Sequence, residues 1–338
     1  MISKFMITLV YQIPLCVISF HCRIKKTSRG TNIKMASTEQ DLPAFNDKDN
    51  DEWLRANFKE SWISEFKENG FLVINNLLNA QDELPSYIET YDKLLNSIEA
   101  KKHRFDLGSH SVKESSVGQS DSHNNDDKIK NSTTDNKKDN GGDISNNKNV
   151  AGTEKICQIM WPSIYEENLL ERPAFKRLLG VVQKLLGDDL EFDFDMLINK
   201  FPYSNTCTPW HQDASYWPPE MPDRRAASAW VALDKATVDN GCMWYVKGSH
   251  LEKDLRPHQR VKEGHRARFT PSCSEAEGEA RPLEGGSCTL HHGRTLHYTR
   301  GNNTGTQRRA YIINFRPKLM VEWERQRQFD HGKTVSRK

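Results

Sequence analysis

The sequence predicts a mainly β fold, an antiparallel sandwich or barrel with flanking helices. From Phe192 onward, short runs rich in branched and aromatic residues recur. Clusters of Gly, Pro, Asn and Asp separate them, with no helical period in between. Helical spacing is confined to the part of the chain before these runs.

The N-terminal elements come first. Trp62, Ile63 and Phe66 recur at helical spacing, and Asn69-Gly70 ends that helix. Phe71 to Ile74 reads as a strand. Leu84, Ile88, Tyr91, Leu94, Leu95 and Ile98 mark a second amphipathic helix. Residues 104–152 then break the pattern, because they are dense in Ser, Asn, Asp, Lys and Gly with almost nothing apolar to bury. They are expected to be a disordered insertion in a loop of one domain, since closure entropy grows only logarithmically with loop length. Limited proteolysis is the check, with first cuts expected there.

Order resumes at Ile156. Pro173 to Leu186 is a helix with proline in its first turn and Gly187 after its end. Phe192, Phe194, Met196, Ile198 and Lys200 alternate with Glu191, Asp193, Asp195, Leu197 and Asn199 as a period-two strand. Further strands are predicted at Ser228 to Leu233, Cys242 to Val246, Ser287 to His291 and Ala310 to Phe315. The predicted organisation is an N-terminal extension over 1–50 and a single catalytic domain over 51–338.

Bulk properties exclude several classes. The chain has 48 basic and 46 acidic residues, and this near balance gives no electrostatic case for a nucleic-acid partner. Seven scattered cysteines, without a CxxC pair, fit neither a disulfide scaffold nor a thiolate zinc site and suit a reducing compartment. The first acidic residue is Glu39, and an apolar run from Phe5 to Phe20 is interrupted by Gln12 and Pro14. That run has a poor cleavage site for a signal peptide and is short for a spanning helix of ~20 residues. A transit peptide has only two arginines in its favour, and a working start at Met35 is the plainest alternative. A cytoplasmic monomer or homodimer is expected, with any membrane contact limited to residues 5–20.

His211-Gln212-Asp213 carries the chemistry. In extended backbone, residues i and i+2 point the same way, so imidazole and carboxylate project from one face. A third ligand from a neighbouring strand would complete a two-histidine, one-carboxylate set. That set leaves adjacent positions open for a chelating co-substrate and O2, as an Fe(II) oxygenase requires. His297 is a candidate, with His291 and His292 as rivals. An HxD pair alone is equally a surface feature. Arg308 and Arg309 open the last predicted strand. A guanidinium suits the distal carboxylate of a dicarboxylic keto acid, although each could be a solvated strand end. Strand parity favours Arg308, with Tyr311 and Ile313 as neighbours on the barrel wall.

Three segments resemble the phytanoyl-CoA dioxygenase family of Fe(II)/2-oxoglutarate-dependent oxygenases. They are "FKENGFLVINNLL", the stretch from "MLINKFPY" through "PWHQDASYW" and "SAWVAL" to "NGCMWYVKGSH", and "GGSCTLHHGRTLHYTRGNNTGTQRRAYIINF". Lys247 stands where the family's "PGSH" turn has proline. The resemblance spans roughly Trp62 to Arg316 without the insertion. It implies a double-stranded β-helix (a jelly-roll, cupin-like core), Fe(II), 2-oxoglutarate and O2, release of succinate and CO2, and support by ascorbate. It further implies His211, Asp213 and His297 as iron ligands, with His292 in support. Arg308 would hold the co-substrate's distal carboxylate, Thr299 would be a hydroxyl donor, and Lys200 and Trp230 would line the pocket nearby.

Trp161, Tyr216 and Trp217 are candidate substrate aromatics or core residues, and His250 packs or hydrogen-bonds. Asn302-Asn303-Thr304 is formally a glycosylation sequon, but it lies beside the expected site. The expected reaction is hydroxylation of a small organic substrate. Desaturation or oxidative cyclisation would use the same ligands, and a non-catalytic jelly-roll binding protein or a histidine-only cupin is the remaining alternative.

Overall fold

The computed structural model describes residues 47–107, 156–260 and 268–334. All of them fall in one compact unit spanning Phe45–Lys338. In chain order the elements are α1 (Asp47–Asn57), α2 (Ser61–Asn69), β1 (Phe71–Ile74), α3 (Leu84–Asn96), β2 (Arg104–Asp106) and β3 (Ile156–Met160). Next come α4 (Pro173–Leu186), β4 (Leu190–Lys200), β5 (Thr208–His211), β6 (Ala227–Ala232), β7 (Met243–Tyr245) and β8 (Gln259–Arg260). The last are β9 (Arg268–Phe269), β10 (Glu279–Arg281), β11 (Cys288–His292), β12 (His297–Thr299), β13 (Arg308–Pro317) and α5 (Lys318–Gln326).

The strands form two antiparallel sheets, a double-stranded β-helix. The larger runs β1-β11-β6-β13-β4-β3-β2 and the smaller β10-β7-β12-β5, with β8-β9 a separate ribbon. The two main sheets do not join into a closed barrel. One apolar cluster, with Phe71, Ile198, Trp230, Tyr245 and Ala310, packs between them. A larger cluster joins the outer face of the large sheet to α2, α3 and α4.

Local chemistry explains these elements. Pro173 opens α4 where a missing N–H is harmless. Its Ala174, Phe175, Leu178, Val181 and Val182 are buried on the sheet, each large side chain contributing about 1.5–3 kcal/mol. Helix α2 ends at Gly70, whose φ is 79°. A side chain there would run into the His250 ring and Thr295. The Gly70 carbonyl accepts from the Thr295 hydroxyl and the His292 amide, which ties the helix end to β11 and the turn before β12.

Strand β13 is the spine, paired with β4 along its whole length and with β6 on its other side. Its alternation puts Arg308, Ile312 and Asn314 on the cavity side, while Tyr311 and Ile313 pack under the helices. Tyr311 and Ile313 are therefore not barrel-wall neighbours of Arg308, because they have the parity of Arg309.

The boundaries also differ from the sequence reading. Helix α1 crosses the expected boundary at residue 50, and β2 removes Arg104–Asp106 from the expected insertion. Strand β2 pairs with β3, so the remainder of that insertion connects two neighbouring strands. The expectations for residues 1–46 and 108–152 otherwise lie outside the described residues. Helix α5 had no counterpart in the sequence reading.

Candidate metal centre and co-substrate pocket

Strands β5 and β12 pair with His211 directly opposite His297. Asp213 follows β5 in a short 3-10 turn. The His211 Nε2 lies 3.8 Å and the His297 Nε2 3.6 Å from the same Asp213 oxygen, Oδ1. One donor atom from each residue fits within 4.8 Å of the others.

The tautomers are set by the backbone. Nδ1 of His211 donates to the Pro209 carbonyl at 2.8 Å, and Nδ1 of His297 to the Thr295 carbonyl at 2.9 Å. A carbonyl can only accept, so each Nδ1 carries the proton and each Nε2 presents its lone pair towards Asp213. Burial lowers the pKa of both histidines and favours the neutral ring. Burial would raise the Asp213 pKa, but positive charge taken up by a facing ring, His297 first, lowers it, so carboxylate and rings titrate as one set.

The other carboxylate oxygen is fixed as well. Asp213 Oδ2 accepts from the Ser228 hydroxyl at 2.8 Å and lies 3.3 Å from His291 Nε2. His291, not His292, is thus the supporting histidine. The two alternate along β11, and His292 packs outward against Phe66 and His250. Ser228→Ala is expected to weaken metal binding about tenfold, as loss of an outer partner typically does. Titrating Mn(II) into the variant and the parent checks this.

A cavity of about 940 Å³ contains these groups. Arg308 reaches it from β13, is 1% exposed, and has no hydrogen-bond partner for any of its three guanidinium nitrogens. It lies over the Trp230 ring, 5.1 Å from its centroid. Burial lowers its pKa to about 10, so it stays charged at neutral pH. The Thr299 hydroxyl, on the same cavity, is also buried without a partner. An unpaired cation in a low-dielectric site is costly, and an anion would relieve it. Arg309 points the other way and pairs with Asp234 and Asp92 at 2.8 and 3.0 Å.

Tyr216 and Trp217 line the cavity too. The Tyr216 hydroxyl accepts from the Arg268 amide at 2.8 Å, and burial raises its pKa to about 12.

Two expected pocket residues do not line the cavity. Lys200 is buried, but its ammonium donates to the Thr206 and Arg300 carbonyls at 2.9 and 2.5 Å. It ties two loops together, and Lys200→Met is expected to lose about 3 kcal/mol in a denaturant titration by leaving those carbonyls unsatisfied. Trp161 is a packing residue between Phe192 and Phe194, with its Nε1 donating to the Asp330 carbonyl. His250 hydrogen-bonds the Lys67 carbonyl, as expected of a packing residue. Asn302 of the sequon is fully buried, with its amide donating to the Lys200 and Thr306 carbonyls. The described cysteines form no disulfide with one another, and no described helix is long and apolar enough to cross a membrane.

With the geometry established, the sequence matches the Phytanoyl-CoA dioxygenase (PhyH) family over residues 66–310. The chain belongs to the phytanoyl-CoA dioxygenase family. It is 23% identical over 270 residues to the phytanoyl-CoA dioxygenase domain-containing protein 1 homolog of Caenorhabditis elegans, covering 77% of this chain and 92% of that one. It is 26% identical over 174 residues to a probable alpha-ketoglutarate-dependent hypophosphite dioxygenase of Stutzerimonas stutzeri, covering 50% and 59%. Among solved structures, EvdO2 from Micromonospora carbonacea complexed with 2-oxoglutarate superposes with a TM-score of 0.56 at 26% identity, covering 76% of this chain and 90% of that one. This family member is a 2-oxoglutarate-dependent dioxygenase, an oxidoreductase.

Proposed function

We propose that the chain hydroxylates a C–H bond of a small, largely apolar organic molecule, using Fe(II), 2-oxoglutarate and O2. The observation that carries this is one cavity holding both the His211–Asp213–His297 set and the unpaired Arg308 guanidinium. Two neutral imidazoles and one carboxylate suit Fe(II) and leave its other positions open. Arg308 and Thr299 suit the far carboxylate of 2-oxoglutarate, with Trp230 under the guanidinium limiting its swing.

When bound, iron and 2-oxoglutarate supply the oxidising chemistry, in which R–H, O2 and 2-oxoglutarate become R–OH, succinate and CO2. The protein's part is positioning. His211 and His297 keep their Nε2 atoms aimed by donating from Nδ1 to the backbone. Ser228 and His291 hold Asp213 Oδ2 so that Oδ1 faces the two rings. Tyr216, Trp217 and the apolar wall orient the substrate and exclude water. The cavity is large enough for a drug-sized molecule beside the co-substrate.

The test is a panel of acyl-CoA esters, amino acids and terpenoid acids, added to enzyme loaded anaerobically with Fe(II) and then exposed to O2, with and without ascorbate. Succinate release is expected to rise with one compound class, in equal amount to a hydroxylated product. A desaturated or cyclised product would replace hydroxylation with one of its alternatives. Failure of the protein to bind 2-oxoglutarate would overturn the whole reading.

A further inference from the structure

Beyond the metal centre, five residues that follow α5 bound the same cavity, Gln328 to Gly332. Three of them have left-handed backbone, Gln328 at φ 59°, His331 at 52° and Gly332 at 85°. Positive φ at two non-glycine residues is unfavourable and persists only where surrounding contacts enforce it.

Those contacts are present. His331 Nε2 lies 3.2 Å from Asp193 Oδ2 and 3.5 Å from Glu324 Oε2. Asp193 and Glu324 have side chains that are fully buried, and Arg316 bridges them from 3.5 and 2.8 Å. Arg325 pairs with Asp193 and donates to the Phe329 carbonyl at 3.0 Å. Asp330 caps the Gly332, Lys333 and Thr334 amides, and its carbonyl accepts from Trp161. Burial would lower the His331 pKa, but the facing carboxylates, Asp193 first, raise it. On its other side the His331 ring stacks on Phe194 at 3.9 Å and meets the Phe329 ring edge-on at 4.8 Å. Two arginines against two carboxylates leave the cluster neutral before His331 is counted, which favours an imidazolium here over a bound divalent cation.

We propose that the strap Gln328–Gly332 is a specificity-determining wall of the substrate cavity. In it Phe329 touches an apolar part of the substrate, and His331 is the positioning residue that anchors the strap to Asp193 and Glu324. The inference rests on the oxygenase reading only in calling the cavity a substrate site. The strap is chain-local and stands apart from the metal ligands, so it can vary the substrate without disturbing the iron or 2-oxoglutarate.

The test uses the full chain loaded with Mn(II), hydrogen exchange of the strap amides, and N-phenyl-1-naphthylamine as a neutral apolar probe. His331→Ala is expected to speed exchange at residues 328–334 at least tenfold and to weaken probe binding at least fivefold. His331→Gln, which keeps a donor, is expected to recover part of both. Phe329→Ala should weaken the probe with the strap still protected, which keeps the test decisive if His331→Ala fails to fold. Unchanged exchange in His331→Ala, or unchanged probe affinity in Phe329→Ala, would overturn the proposal. So would a parent protein that binds no probe, or a Zn(II)-induced thermal shift that depends on His331. Binding of 2-oxoglutarate is measured separately, so loss of that reading is distinguishable from loss of this one.

Discussion

Asp213→Ala should abolish 2-oxoglutarate turnover and Fe(II) binding together while leaving the protein folded. Asp213 is the one anionic member of the set and is approached by both Nε2 atoms. A metal contributes several kcal/mol of charge stabilisation, so its loss should lower turnover by about a thousandfold or more. His297→Ala should behave alike, since His297 sits across the sheet from His211. His292→Ala should retain the metal, because that ring faces Phe66 and His250 on the outside of β11. Anaerobic Fe(II) titration, succinate release and circular dichroism on the same samples check this. Turnover that persists in His297→Ala and vanishes in His292→Ala would reassign the third ligand.

Arg308→Ala should raise the apparent KM for 2-oxoglutarate about ten- to hundredfold. A hydrogen-bonded pair with a charged group contributes about 1.5–3 kcal/mol, and this guanidinium has no hydrogen-bond partner within the protein. Arg308→Lys keeps a charge but loses the fork and the stacking on Trp230, so it should recover only part of the affinity. Arg309→Ala should leave that KM near the parent value and lower stability instead, because it breaks the pairs with Asp234 and Asp92. Steady-state kinetics and thermal unfolding of the three variants separate the two roles. The reverse pattern, with Arg309 controlling KM, would overturn the co-substrate assignment.

Much of the site was legible because its signals are local. An i, i+2 pair in extended chain fixes which side chains share a face, whatever the strand later packs against. For that reason His211 with Asp213 could be read from order alone, whereas parity misgroups Arg308 with Tyr311 and Ile313, which pack under the helices, and it is the resemblance that points to Arg308. The amphipathic faces of α3 and α4 were equally plain, since 3.6-residue periodicity is a property of the segment itself. Helix α1 and helix α5 escaped because the first is mostly charged and the second follows Pro317 directly at the end of the long strand β13.

The sequence by itself therefore determined the β architecture and the HxD pair, and its resemblance to the family pointed to Arg308. Tertiary structure alone decided which of His291 and His292 supports Asp213, because that depends on the pairing of β11 with β6. It also turned Lys200 towards backbone carbonyls and Trp161 towards Asp330, and it folded Gln328–Gly332 over the cavity. Each of these outcomes rests on partners that are distant in sequence, and the hydrogen bonds and buried charges that select them exist only once the sheets and helices have packed.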